Sequence, residues 1–122
     1  MTSTVAILGA SSNPDRYAWL AQKMLMEKNY RVLPVSLKEK EIGGLPALAT
    51  INDIHEPVDT LTLYLSPDKV DACVKDILAL KPRRVIFNPG TESAAAMQQL
   101  QNNGIDVEQA CTLVLLRTGQ FD

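Results

Sequence analysis

The chain has 122 residues, of which 46% are hydrophobic and 21% are charged, and its formal net charge is −2. This size and composition predict one globular domain over residues 1–122, and the slight negative charge argues against a nucleic-acid-binding surface. No stretch approaches the ~20 apolar residues that a membrane span needs, and the first residues lack the pattern of a targeting segment. We therefore expect a cytoplasmic protein that binds neither nucleic acid nor a membrane.

Short apolar segments alternate with helical patterns along the chain. Strands are predicted at residues 4–8, 30–36, 58–65, 83–87 and 105–110. Helices are predicted at residues 17–27, 67–80, 92–103 and 112–117, with a short helical turn within 47–54. This alternation predicts an α/β fold: a Rossmann-like, doubly wound parallel sheet of five strands with helices on both faces.

Two local features of the predicted helices can be checked against a structure. In the first helix, Trp19, Leu20 and Met24 have the spacing of a buried stripe, which can also include Leu25. Thr91 is a suitable N-cap for the third helix, with Glu92 in its first turn.

The loop after the first strand, Gly9–Arg16, has the composition of a phosphate-binding turn. It connects a buried strand to a helix, so backbone N–H groups and the positive end of the helix dipole meet there. Gly9 is expected to let a ligand approach the backbone closely, and Arg16 can add a bidentate phosphate contact. The three-glycine dinucleotide pattern is absent, because Ser11, Ser12 and Asn13 replace the later glycines.

The loop after the second strand indicates which nucleotide is bound. Cofactors with a free ribose 2′-hydroxyl are usually held by an acidic residue at this point, whereas here Ser36 and Lys38 occupy it. A serine and a lysine fit a phosphorylated ribose, which occurs both in coenzyme A (CoA) and in the phosphorylated nicotinamide dinucleotide (NADP). Glu39 counts against this interpretation, and Lys38 and Lys40 also fit a solvated charged segment.

The sequence resembles the small stand-alone CoA-binding proteins, which share the fold of the N-terminal domain of the succinyl-CoA synthetase alpha subunit. The order and spacing of short motifs over nearly the whole chain carry the resemblance. The matching segments are VAILGASSNPDR at 5–16, VLPVSLK at 32–38, IGG at 42–44, VDTLTLYLSPDKV at 58–70, FNPGTESAAA at 87–96 and ACTLVLLRTGQF at 110–121. One departure is Ser36-Leu37-Lys38, where many relatives have Asn-Pro-Lys.

The resemblance implies that CoA, free or acylated, is the cofactor, and it implies three groups of contacts. Residues of the first loop would approach the diphosphate, those around the end of the second strand would surround the adenosine and its 3′-phosphate, and the remainder would line the adenine side or the pantetheine exit. In that order the groups are Gly9, Ala10, Ser11 and Asn13; Pro34, Val35, Ser36 and Lys38; and Leu65, Ser66, Asn88, Pro89 and Gly90.

The sequence offers no evident catalytic set. His55 is the only histidine and lies in a polar segment before a strand, and the two cysteines, Cys73 and Cys111, fit no metal-ligand spacing. Cys73 is expected in the core, and Cys111 is either a packed residue or a partner for a pantetheine thiol. We therefore expect a CoA-binding protein with no evident catalytic set and no metal.

Two other functions stay open at this point. One is a small NADP-dependent oxidoreductase, and the other is a regulatory protein that senses acyl-CoA and binds a partner. A homodimer is compatible with either.

Overall fold

A computed structural model describes residues 3–122. Seven strands and four helices are formed there. The strands are β1 (Thr4–Leu8), β2 (Arg31–Val35), β3 (Glu41–Ile42), β4 (Leu45–Pro46), β5 (Thr60–Leu63), β6 (Arg84–Phe87) and β7 (Asp106–Gln109). The helices are α1 (Tyr17–Glu27), α2 (Pro67–Leu80), α3 (Ala94–Asn102) and α4 (Thr112–Arg117), and a 3₁₀ turn covers Ile51–Asp53.

Five of the strands form one parallel sheet in the order β2-β1-β5-β6-β7. The predicted five-stranded parallel sheet is therefore confirmed. The chain moves outward from β1 to β2 in one direction and from β5 to β7 in the other, so the winding reverses between β1 and β5. In open α/β sheets, ligands bind outside the carboxyl ends of the strands at such a reversal.

Helices cover both faces of this sheet, as the strand pattern predicts. Alternate residues of β1 point to opposite faces: Val5 and Ile7 pack with α1 and α4, whereas Ala6 and Leu8 pack with α2 and α3. All four of these strand residues are buried, which explains why β1 reads as a continuous apolar run rather than an alternating one.

The buried face of α1 differs in part from the predicted stripe. Leu25 is buried, whereas Trp19, Leu20 and Met24 are only half-buried. The other buried positions of the helix are Ala18, Ala21 and Gln22. Small alanines allow the helix to approach the sheet closely. Gln22 is tolerated there because its Nε2 donates to the carbonyl of Ile42 at 2.9 Å.

Helix α3 begins two residues later than predicted. Ser93 is its N-cap, and the Ser93 hydroxyl accepts from the N–H of Ala96 at 3.2 Å. Thr91 instead donates its hydroxyl to the carbonyl of Asn88 at 2.7 Å. The Glu92 carboxylate accepts from the N–H of Gly90 at 2.9 Å, so both residues stabilise the turn after β6 rather than the helix.

The segment between β2 and β5 contains a feature that was predicted only as a turn. Gly43 and Gly44 connect β3 and β4 in a minimal antiparallel hairpin. The predicted helical turn within 47–54 corresponds to the 3₁₀ turn, which begins with a capping box between Thr50 and Asp53.

Across residues 3–122, no helix is long and apolar enough to cross a membrane. Over the same range, no three His, Cys, Asp or Glu side chains are grouped in a way that would hold a metal ion.

Candidate functional site

A cavity of about 910 Å³ lies at the carboxyl ends of β1 and β5, where the winding of the sheet reverses. Its volume falls within the range of small-molecule sites. Eleven of the residues predicted to bind the ligand line it: Gly9, Ala10, Ser11, Arg16, Val35, Ser36, Lys38, Leu65, Ser66, Pro89 and Gly90. The topology thus brings together loops that are far apart in the sequence.

The backbone conformation and packing at Gly9 require a glycine even without a ligand. Gly9 has φ +93°, and a Cβ built on it would lie 2.9 Å from the carbonyl oxygen of Tyr64. The N–H groups of Gly9 and Ala10 both donate to the carbonyl of Val35, at 3.2 and 3.0 Å. The fold itself therefore requires a glycine here, because this bend joins the ends of three strands, and close approach of a ligand to Gly9 stays a prediction.

One N–H group of the first loop and two at the start of α1 are free to bind an anion. Within residues 3–122, the N–H groups of Ser11, Tyr17 and Ala18 have no hydrogen-bond partner. The N-cap residue of α1, Arg16, makes no side-chain capping bond, and the first turn of the helix carries no acidic residue. The positive end of the α1 dipole is therefore not neutralised by the helix itself.

Asn13 lies outside the cavity lining and shapes this loop from within. Its N–H donates to the Ser11 hydroxyl at 3.0 Å, and its Oδ1 accepts from the N–H of Asp15 at 3.0 Å. These local bonds are typical of a polar turn.

The loop after β2 is arranged around the Ser36 hydroxyl. This oxygen accepts from the N–H groups of Lys38 and Glu39, both at 3.2 Å. The Lys38 side chain is exposed at the cavity. Pro34, which was predicted to surround the adenosine, is buried in β2 and outside the cavity lining, and its carbonyl accepts from the N–H of Leu48 at 2.9 Å.

A contact between the first two loops crosses the cavity wall. The Glu39 carboxylate accepts from the N–H of Ser12 at 2.9 Å and also from the Ser12 hydroxyl. These bonds favour the charged form and lower the pKa of Glu39 below its ordinary value. An ionised carboxylate is therefore held against the predicted phosphate-binding loop.

One face of α2 forms the opposite wall. Lys69, Ala72, Cys73 and Asp76 line the cavity, and their spacing of three, four and seven residues places them on one side of a helix. The Ser66 side chain makes no capping bond at the start of this helix. Sequence reasoning missed Lys69, although its position one turn after a helix start at the ligand edge could have indicated it.

Asn88 follows β6 but its side chain belongs to the core. It is 3% exposed and lies outside the cavity lining. Its Nδ2 donates to the Thr62 hydroxyl at 2.6 Å and to the Leu63 carbonyl at 2.8 Å, and its Oδ1 accepts from the N–H of Thr112 at 2.8 Å. These bonds join β5, β6 and α4, while Pro89 and Gly90 reach the cavity.

The titratable groups of the cavity do not form a nucleophilic site. Burial, with a smaller contribution from Asp76, raises the pKa of the Cys73 thiol, which disfavours the thiolate. Burial raises the pKa of Tyr64 to about 12. Its hydroxyl lies near Thr62 and Thr112 but has no hydrogen-bond partner of good geometry within residues 3–122. His55 is exposed and Cys111 caps α4, and neither lines the cavity.

Comparison with known proteins identifies one matching family and several similar proteins. The sequence profile of a family described as a CoA binding domain matches residues 3–117. A crystal structure of an uncharacterized protein superposes with a TM-score of 0.93 and 40% identity, covering 99% of both chains. A Thermus thermophilus protein, cell-free ID.343, has a TM-score of 0.90 and 32% identity over 98% of this chain and 91% of its own. The uncharacterized protein YneT of Bacillus subtilis is 22% identical over 100 residues, which are 82% of this chain and 74% of YneT.

Proposed function

Since the chain belongs to the CoA-binding domain family, we propose that it binds CoA or an acyl-CoA in the cavity between the ends of β1 and β5. The CoA diphosphate lies over the Gly9–Arg16 loop in this proposal. The chain acts over residues 1–122 as one binding domain, and no catalytic step is assigned to it.

The observation that carries the proposal is the meeting of two helix N-termini at one cavity. The starts of α1 and α2 both border it, and neither has a side-chain cap. Free N–H groups at a helix start, together with the helix dipole, form a favourable site for phosphate. The lining carries three cationic side chains, Arg16, Lys38 and Lys69, and three acidic ones, Asp15, Glu39 and Asp76. The cations can pair with the phosphates of the ligand only where the acidic side chains do not already oppose it.

The wall formed by Lys38 supports CoA over nucleotides without a ribose phosphate. The Ser36 turn fixes the backbone of Lys38 and leaves its side chain exposed. Lys38 then pairs with the 3′-phosphate, and the Ser36 loop lies beside the ribose. A lysine provides a point charge for such a contact rather than a bidentate fork.

Apolar side chains at the cavity supply surface for the uncharged parts of the ligand. Leu37 is 87% exposed and Tyr17 is 63% exposed, and both line the cavity. Inside it, Ile51, Leu65 and Ala72 form further apolar wall. Burying such surface against the adenine or the pantetheine chain is favourable by roughly 25 cal/mol per Å².

The test is calorimetric titration of the purified chain with CoA, dephospho-CoA, NADP and ATP. We expect CoA to bind most tightly. Tightest binding of NADP would replace this proposal with the oxidoreductase hypothesis, and no binding of any of the four would remove the cavity as a nucleotide site.

A paired substitution tests the role of Lys38. Lys38→Ala is expected to weaken CoA by about tenfold, equivalent to ~1.4 kcal/mol, and to leave dephospho-CoA unchanged. Lys40→Ala is the matched control, because Lys40 is exposed in the same segment but lies outside the cavity lining. Equal losses for both ligands would remove Lys38 from contact with the 3′-phosphate.

A further inference from the structure

We propose that Glu39 is an autoinhibitory latch on the first loop, which the diphosphate of the ligand displaces when it binds. The proposal rests on the function proposed above, because it assumes that a phosphate-bearing ligand enters this cavity. It concerns a side chain that the expected contacts do not include.

The latch is a contact between two loops that border the same cavity. The Ser12 N–H donates to Glu39 at 2.9 Å, and the N–H of the preceding residue, Ser11, has no partner within residues 3–122. The Ser12 hydroxyl is held by the same carboxylate. The carboxylate thus holds both donors of Ser12, which belongs to the loop where the proposed function places the diphosphate.

The negative charge of Glu39 makes this contact oppose the binding of the diphosphate. The Ser12 bonds keep Glu39 ionised, so a diphosphate on this loop meets a negative charge that already holds one of the loop's backbone donors. Two anions cannot share the same N–H without strong repulsion. Ligand entry therefore requires Glu39 to leave Ser12 and turn towards solvent.

The position of Glu39 makes that release inexpensive. Its backbone lies in the exposed Ser36 turn, held by a 3.2 Å bond from its own N–H, and its side chain forms no hydrogen bond to residues 3–122 other than those with Ser12. A surface contact of this kind contributes little to folding.

The experiment compares Glu39→Gln with Glu41→Gln by calorimetry. Glutamine keeps the size of the side chain and removes its charge. Glu41 is two residues further along, exposed in β3 and outside the cavity lining, so its substitution controls for the change in net charge. We expect Glu39→Gln to tighten CoA by about three- to tenfold, and Glu41→Gln to change it by less than about twofold.

Titrations with pantetheine and adenosine distinguish the latch from a general effect of the substitution on the fold. Neither carries the diphosphate, so neither is expected to gain affinity in Glu39→Gln. A gain for both would show that Glu39 acts on the shape of the cavity instead, and would overturn the latch.

Carbon-13 NMR of the Glu39 carboxyl in the wild-type chain provides the second readout. Its shift is expected to move towards that of a solvated glutamate when CoA binds. Weaker or unchanged CoA binding by Glu39→Gln, or a carboxyl shift unaffected by saturating CoA, would overturn the latch while leaving CoA binding itself established. If the wild-type chain binds no CoA, the proposed function fails first and the latch fails with it.

Discussion

Replacing Asn88 by alanine is expected to destabilise the fold severely and to leave the ligand contacts intact. The side chain makes three bonds of 2.6–2.8 Å with Thr62, Leu63 and Thr112. Thr112 and Leu63 are both 0% exposed, so water cannot replace the lost partner. The substitution leaves the Thr112 N–H and the Leu63 carbonyl oxygen without these bonds in the core.

The magnitude follows from these two buried groups. Each unsatisfied group costs about 1–3 kcal/mol, which gives roughly 3–5 kcal/mol for the pair when the lost packing is included. An unfolding entropy of about 2.1 cal/mol/K per residue over 122 residues amounts to about 0.26 kcal/mol/K. The melting temperature is therefore expected to fall by about 12–20 °C.

Thermal unfolding followed by circular dichroism measures this change, and calorimetry with CoA at low temperature measures binding by the folded variant. Asn52→Ala is the control, because Asn52 is exposed and its side chain forms no hydrogen bond within residues 3–122. It should stay within about 0.5 kcal/mol of the wild type. A melting temperature close to that of the wild type combined with lost CoA binding would show that Asn88 contacts the ligand, and the structural explanation would be wrong.

Three further predictions concern the cavity, the first loop and the acid limit of stability. CoA is expected to slow the alkylation of Cys73, which lines the cavity, and to leave the alkylation of Cys111 unchanged, because Cys111 lies outside the lining. Mass spectrometry measures both rates, and equal protection of the two cysteines would place the ligand elsewhere. Gly9→Ala should lower the free energy of unfolding in urea by about 2–4 kcal/mol, because its Cβ would lie 2.9 Å from a carbonyl oxygen. Gly119 has φ +72° and lies in open space, so Gly119→Ala should lower it only by the conformational contribution of ~1 kcal/mol. Equal losses for the two variants would refute the packing explanation. Hydrogen bonding from an arginine lowers the pKa of Asp59 below its ordinary 3.8. Its stabilising contribution is therefore present above that value and lost as the pH falls below it, so Asp59→Asn should flatten the acid loss of stability, and an unchanged acid profile would contradict this.

The fold could be predicted because its signals are local. The bounds of α1 and α4 match the prediction, and the chain order of strands and helices was sufficient to predict a parallel sheet. The ends of the strands then located the cavity, since the carboxyl ends of parallel strands meet at one edge.

The buried face of α1 could not be predicted because it depends on a distant contact. A search for large apolar residues selects Trp19 and Met24, whereas Gln22 is buried by its bond to Ile42, which lies twenty residues further along the chain. Nothing in the helix sequence indicates that partner.

The same limit applies to Asn88. A polar residue after a strand at the ligand edge favours a binding role, but the threonine at 62 in a fully buried strand needed a partner of its own. The amide of Asn88 and the hydroxyl of Thr112 both bond to the Thr62 hydroxyl. The threonines in the buried strands could have indicated this, because their hydroxyls require hydrogen-bond partners and nearby polar residues of the turns can supply them.

These differences divide the cavity into a rigid and a yielding side. On the side of β6, the Asn88 bonds are short and buried, so this wall is expected to keep its shape when a ligand enters. On the side of β1 and β2, the loops are joined at the surface by Glu39 and Ser12, both of which solvent can reach. Because local opening is easiest where contacts are exposed, any rearrangement on binding should be confined to Ser11–Arg16 and Ser36–Lys40. Hydrogen exchange that changed at the Thr112 amide before it changed at the Ser12 amide would contradict this division.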